Sequence, residues 1–484
     1  MSDGSGKVSV KKLSVFAMAT AVITGMIGSG VYDLPYQLGS VASPGAQIIG
    51  WVIAFVGMLM FALSLQNLLA KEPEGNGLYS YARKLFGPLG EFTSGWSYWI
   101  AGWVGNVAYA TMMMIALGTF FPVMGDTGTS WLSIAIGSLV IWGMFLLVSR
   151  GVENAMFMNS ILTVIKIVPL AAFIIIVGTS FNFGVFTTDF WTNFAGNVAN
   201  ASQGFDAGSV YEQVTNSMLS LVWVFSGIES AGLMAPRAKN MKSAGRATVI
   251  GLLTATALMF VVAVLPYGVM TADEIVALGQ PSVGQIMVQF IGPVGAQIIQ
   301  GALVISIFGS WLNYTMLPTE ATQVLSEDGL LPAKWGKKNE HGVAMHSLFL
   351  TTLFCDLLLI TMHFTDAAYN FGFSLSGSAN LVTFSMVTMY NFVWAFKHRD
   401  DPDSTKNLII GGIGSVYLLY AMIVSGFAYI LLLCAPIAVG FFLYYKARKD
   451  AGVEVVFSSK EKIVVAIISL IGIAGIVAYA LGLV

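Results

Sequence analysis

Apolar runs recur along the whole chain, each broken off by a short polar connection. A helix needs about 20 apolar residues to cross the hydrocarbon of a bilayer. About thirteen stretches reach that length, at roughly 13–35, 45–70, 92–122, 131–149, 156–180, 214–235, 247–270, 285–318, 346–363, 367–396, 407–424, 426–446 and 462–483. Only Ser425-Gly426 divides the eleventh from the twelfth, so a count of about twelve stays open. The first run is long, glycine-interrupted and without a small-residue cleavage site, unlike a signal peptide. The longest connection, 181–213, is expected to form a short helix or cap over a vestibule.

Composition sharpens this picture. Of 484 residues, 10% are charged and 56% hydrophobic, with a mean hydropathy of +0.78. Soluble domains carry about 25% charged residues, so a soluble enzyme lacks the polar surface it would need. A net charge of −2 with no basic domain argues against a nucleic-acid partner. Cys355 and Cys434 both lie in apolar runs, and His341, His346, His363 and His398 form no metal-ligand spacing. No metal or other cofactor is called for, no phosphate-binding loop suggests ATP-driven transport, and no nucleophile–base pair at depth suggests an enzyme.

The cations give an orientation. Of 23 Lys and Arg, every one but Lys166 lies at the N-terminus or in an even-numbered connection. By the positive-inside rule those segments are cytoplasmic, and an odd number of spans puts Val484 outside a plasma membrane. Lys166 sits in the middle of the fifth run.

Two runs carry glycine-centred interruptions. One holds Gly25, Gly28, Ser29 and Gly30, with Pro35 following; the other holds Trp223, Phe225, Ser226, Gly227, Glu229 and Gly232, with Pro236 following. They lie five runs apart, which inverts the second copy relative to the first and points to an inverted-repeat transporter. Unwound backbone is tolerated at membrane depth only inside protein or along a cavity. There a half-helix N-terminus offers N–H groups to a carboxylate, and freed carbonyls hold a cation. Close helix packing through glycine is the other reading of such runs.

Gly28-Ser29-Gly30, the spacing Trp223, Phe225, Gly227, Glu229, the segment Trp103 to Asn106, and Glu327-Asp328-Gly329 with Pro332 resemble the amino acid–polyamine–organocation superfamily. The closer likeness is to its basic amino acid/polyamine exchangers, and a thirteenth span is similar to the arginine/ornithine branch. The resemblance implies an all-α, LeuT-like fold of five plus five helices in inverted repeat, helices 1 and 6 being discontinuous. Residues 1–397 would form this core and 398–484 three peripheral spans, similar to a dimer-forming region, which leaves a homodimer open.

It also implies site roles. Ser29 and Gly30 would hold a substrate carboxylate, Trp223, Phe225 and Ser226 would surround the α-amino group, and Gly227 is a further substrate-binding candidate. Gly102 and Asn106, four apart on one face of the third span, would meet the distal end of a basic substrate. Tyr314 falls where the resembled arginine exchangers carry Trp; its ring still offers a cation–π face worth about 0.5–2 kcal/mol. Tyr98, with Phe225 and Trp223, would close over substrate. Glu229, an intramembrane acid and by default functional, would couple protonation to gating or make a structural hydrogen bond. Lys166 would stand where sodium sits in sodium-driven relatives, tying the fifth span to the first break or carrying protons. Asp33 would attract a cationic side chain or cap a polar vestibule, and Asp356 is a second acid within a span. The implied activity is exchange of a basic amino acid for a related cationic product, such as arginine/ornithine or an amino acid and its decarboxylated amine. A proton-coupled symporter is the alternative.

Overall fold

The computed structural model describes residues 13–72, 77–188, 190–191, 199–200, 205–206, 209–235, 238–365, 367–424 and 427–481, and within these not the side chains of 152–164, 199–200, 205–206, 427 and 480. Lys7, Lys11, Lys12, Pro236, Arg237, Ser425-Gly426 and Val484 lie outside that set. The described chain is helical apart from a two-residue pairing of Ala199–Asn200 with Phe205–Asp206.

The first half runs α1 (Val15–Met26), α2 (Leu34–Gly39), α3 (Pro44–Lys71), α4 (Ser80–Gly118), α5 (Trp131–Ser149), α6 (Val152–Thr179) and α7 (Phe183–Thr188). It continues through α8 (Val210–Phe225), α9 (Ser230–Leu233), α10 (Met241–Val264), α11 (Ala272–Ala277), α12 (Ser282–Ile291) and α13 (Pro293–Glu327). The last five are α14 (Met345–Thr361), α15 (Ala368–Lys397), α16 (Ser404–Val424), α17 (Phe427–Asp450) and α18 (Ser459–Ala480). Nine helices among the described residues are long and apolar enough to cross a membrane. Polar caps fix where several begin: Ser14 accepts from Ala17 N, and Ser209 with Glu212 and Ser458 with Glu461 form capping boxes.

The first and sixth runs are each split, α1 from α2 and α8 from α9. The eighth run departs from the expected 285–318. Gly292, at φ +70°, and Pro293 end α12 and start α13, which then continues to Glu327. Proline suits a first helical position but cannot continue a helix before it. The 181–213 connection contains the short helix α7.

Of the three C-terminal helices, α16 is stitched to α3 and α15. Asn67 Nδ2 donates to Asn391 Oδ1 (2.7 Å), Asn391 Nδ2 to the Asn407 carbonyl (3.1 Å), and Asn407 Nδ2 to Asn67 Oδ1 (3.0 Å). In contrast, α17 and α18 pack chiefly on each other, and much of α18 is exposed apolar surface, as at Ile463, Leu470 and Ile473. Such a surface is what lipid covers.

Candidate functional site

The break after Met26 is built by backbone that leaves the helical ladder: Gly28 N turns back on the Met26 carbonyl (3.1 Å). The N–H groups of Ser29, Gly30 and Val31 have no hydrogen-bond partner among the described residues. On the other side of the break, carbonyls are freed and captured. Lys166 Nζ donates to the carbonyls of Ile27 (2.7 Å) and Thr24 (3.1 Å) and to Ser310 Oγ (3.4 Å). Ser306 Oγ donates to the carbonyls of Ile27 and Gly28, and Ser310 Oγ to that of Thr24. An ammonium has three donors, and all three are used here. Lys166 is fully buried, and no carboxylate pairs with it among the described residues.

The second break lies against the first. Gly227 adopts φ +103°, and a Cβ there would sit 2.4 Å from the Gly25 carbonyl carbon and 2.7 Å from Met26 N. Only glycine combines that dihedral with that approach. Glu229, fully buried, closes the turn: its Oε2 accepts from Gly227 N (2.8 Å) and its Oε1 from the Tyr98 hydroxyl (3.1 Å). Tyr98 thereby links α4 to the break between α8 and α9.

Beside the Ser29-Gly30 turn stands a cluster of rings. Trp223 packs on Tyr109 (5.5 Å between ring centroids), Tyr314 (6.0 Å) and Phe373 (6.2 Å), and Tyr109 meets Tyr314 edge-on at 5.4 Å. A Cβ on Gly30 would lie 2.6 Å from Val224 Cγ1 and 3.2 Å from the Trp223 ring, so the missing side chain lets both side chains of α8 approach the turn. Asn380 Nδ2 donates to Ser226 Oγ (3.1 Å) and to the Tyr314 hydroxyl (3.3 Å), and Ser29 Oγ lies 3.5 Å from the Tyr369 hydroxyl. The residues named from the sequence that meet here are Ser29, Gly30, Trp223, Ser226, Gly227, Tyr314, Tyr98 and Glu229.

Three others have different surroundings. Phe225 packs its ring on Trp51 of α3 at 5.9 Å. Gly102 and Asn106 share a face, but that face meets the proline bend of α13. Pro318 has no N–H, which frees the Tyr314 carbonyl; Asn106 Nδ2 donates to it (3.3 Å) and to Thr315 Oγ1 (3.2 Å). The Pro318 ring occupies the space a Cβ on Gly102 would take, 2.1 Å from its Cγ. Tyr109, Tyr369, Asn380, Ser306 and Ser310 were not singled out from the sequence. Isolated aromatic, serine and asparagine positions in apolar runs carry no spacing signal; only their convergence on the two breaks marks them.

At the end of the bundle away from the Lys71 and Lys338 connections, a cavity of about 520 Å³ is lined by Tyr36, Asp126, Gln280, Tyr369 and Asn370 among others. Tyr369 joins it to Ser29. Asp33 is fully buried and is joined to this cavity through Gln280, which lines it. Its Oδ2 accepts from Gln37 Nε2 (2.8 Å) and Gln280 Nε2 (2.9 Å), and its Oδ1 from Ser282 N (3.4 Å). Asp356 lies elsewhere, accepting from Ser138 Oγ (2.6 Å) and Trp142 Nε1 (3.0 Å) of α5.

Apolar helices with two broken spans set against each other around buried polar groups define a multi-pass membrane protein of the discontinuous-helix transporter class. The amino acid permease family model matches residues 13–442, and the chain belongs to that family. It is 38% identical over 466 residues to an arginine/ornithine antiporter of Latilactobacillus sakei, covering 96% of each chain. It is 37% identical over 477 residues to an arginine/ornithine antiporter of Lactococcus lactis subsp. cremoris (96% of this chain, 89% of that one). An arginine/agmatine antiporter of Chlamydia abortus is 30% identical over 478 residues (98% and 97%).

Proposed function

We propose that this protein is an antiporter that exchanges a basic amino acid for a related cationic product by alternating access. The observation that carries this reading is the juxtaposition of the open Ser29-Gly30-Val31 N–H groups with the Tyr109–Trp223–Tyr314 ring cluster. The N–H groups suit an α-carboxylate at a helix terminus. The rings suit a cationic side chain, at about 0.5–2 kcal/mol. Relatives similar over nearly the full chain, named arginine/ornithine and arginine/agmatine antiporters, support the same substrate class.

In this reading Ser29 and Gly30 hold the carboxylate, while Trp223, Ser226 and Gly227 frame the amino group. Phe225 braces α8 on α3, and Gly102 and Asn106 hold the α13 bend that presents Tyr314. Tyr98 and Glu229 form a hydrogen-bonded latch between α4 and the second break. Lys166 serves the first break as a fixed cation, which makes transport independent of sodium. Gln280 lines the entry cavity, and Asp33, hydrogen-bonded behind it, attracts cationic substrates. Residues 1–397 form the transport core and 398–484 the periphery, with α17 and α18 available to a second copy. The protein lies in the plasma membrane with its N-terminus and basic connections in the cytoplasm and its C-terminus outside.

The test is counterflow in proteoliposomes, loaded with nothing or with arginine, ornithine, agmatine, histidine, histamine, lysine or cadaverine. Uptake of a labelled basic amino acid only into loaded vesicles is the expected result. Uptake into empty vesicles that collapses with the proton gradient would overturn exchange in favour of a proton-coupled symporter.

A further inference from the structure

A second cavity, of about 520 Å³, lies between α5 and α14 at the basic end of the bundle and takes no part in the transport site. Lys334, Lys337 and Lys338 line it together with Phe145, Phe349 and His346. Lys338 is shared with Glu327 (2.9 Å), whereas no acid pairs with Lys334 or Lys337 among the described residues. The loop that carries the lysines is fixed in place. Asn339 Nδ2 donates to the Ser149 carbonyl at the end of α5 (2.8 Å), and Asn339 Oδ1 accepts from His341 N and Val343 N. His346 Nε2 is buried without a hydrogen-bond partner. Phe145 lies one turn inside the end of α5 and Phe349 one turn inside the start of α14, both membrane-spanning helices.

We propose that this groove binds the headgroup of an anionic phospholipid in the leaflet that meets the basic end. The lysines would hold the phosphate while an acyl chain lies on Phe145 and Phe349. A soluble phosphate would use the same cations but gain nothing from two rings at bilayer depth. Basic pockets between spans at a membrane surface have the chemistry that anionic headgroups require, and each surface lysine contributes about 1 kcal/mol.

The experiment compares purified protein in neutral detergent with added phosphatidylglycerol, phosphatidylcholine or inorganic phosphate. Bound lipid is counted by native mass spectrometry and melting temperature is followed in parallel. Phosphatidylglycerol is expected to stay bound and raise the melting temperature where phosphatidylcholine does not. The double variant Lys334→Ala/Lys337→Ala is expected to weaken that binding roughly fivefold per lysine removed. Lys334→Arg/Lys337→Arg should keep it, as should Lys397→Ala/Lys406→Ala on the same face. Equal retention of both lipids, the same stabilisation by inorganic phosphate alone, or equal loss in the Lys397/Lys406 control would each overturn the site.

Discussion

At the scale of single residues, Lys166 shows how one side chain replaces lost backbone geometry. It supplies donors to carbonyls that a continuous helix would have paired internally. Lys166→Met strips these acceptors of their donor inside the membrane, which costs about 1–3 kcal/mol. A drop in melting temperature together with loss of exchange is expected, and an unchanged melting temperature would remove Lys166 from the break. Tyr314 separates two contributions. Tyr314→Phe keeps the ring but gives up the hydroxyl that accepts from Asn380, so KM for a cationic substrate should move little. Tyr314→Ala removes the ring and should raise that KM by roughly 2- to 30-fold, from a cation–π contribution of 0.5–2 kcal/mol. Lys166, Glu229 and the glycine motifs were legible because a charge or a glycine cluster inside an apolar run is conspicuous. Tyr109, Tyr369 and Asn380 were not, because a single ring or amide in such a run looks like ordinary packing.

At the scale of elements, the two breaks hold each other. Gly227→Ala forces a Cβ into the backbone of Gly25 and Met26 at a left-handed dihedral, and strained backbone of that kind costs on the order of 1–3 kcal/mol even before the clash. Gly292→Ala also meets a positive φ (+70°) but has nothing within 4 Å of the new Cβ. The expected contrast is abolished exchange and poor folding for Gly227→Ala, against a modest fall in melting temperature with exchange retained for Gly292→Ala. Similar behaviour of the pair would mean that the contact between breaks is unimportant. Broken spans are readable in advance because small residues and proline punctuate them. The division of the eighth run was missed, since Gly292-Pro293 lies within uninterrupted apolar sequence and hydropathy does not register a turn there. The shared face of Gly102 and Asn106 followed from helical spacing, but its neighbour, the Pro318 bend, lies more than 200 residues away.

At the scale of the whole molecule, ion pairs tie the connections at the basic end, including Lys71 with Asp401 (2.6 Å) and Arg83 with Glu91 (2.9 Å). The hydrogen bond from Lys71 holds the partly buried Asp401 carboxyl below the usual carboxylate range. A lowered folded pKa contributes stability above the unfolded value, about 4, and loses it as pH falls through the folded value. Asp401→Asn should therefore lower the melting temperature slightly at pH 7 and converge on the wild type in acid; parallel curves down to pH 3 would contradict this. Charge balance gives a second whole-molecule test. Swapping monocationic arginine for monocationic ornithine should ignore an imposed potential, whereas exchange against dicationic agmatine should respond, at about 2.3 kcal/mol per charge per 100 mV. A potential-sensitive arginine/ornithine exchange would require a further coupled charge.

The sequence by itself determined the membrane setting, the helical class and the two interruptions. Each follows from local rules: apolar run length, charge at run ends, and the conformational freedom of glycine. Only the tertiary structure decided which residues meet at the breaks. Lys166, Ser306 and Ser310 come from distant helices onto carbonyls of the first break, Tyr98 onto the glutamate of the second, and Phe225 turns toward Trp51. The physical reason is that unpaired backbone groups at membrane depth must find partners, and those partners are chosen by how helices pack across long sequence separations, which no local pattern records.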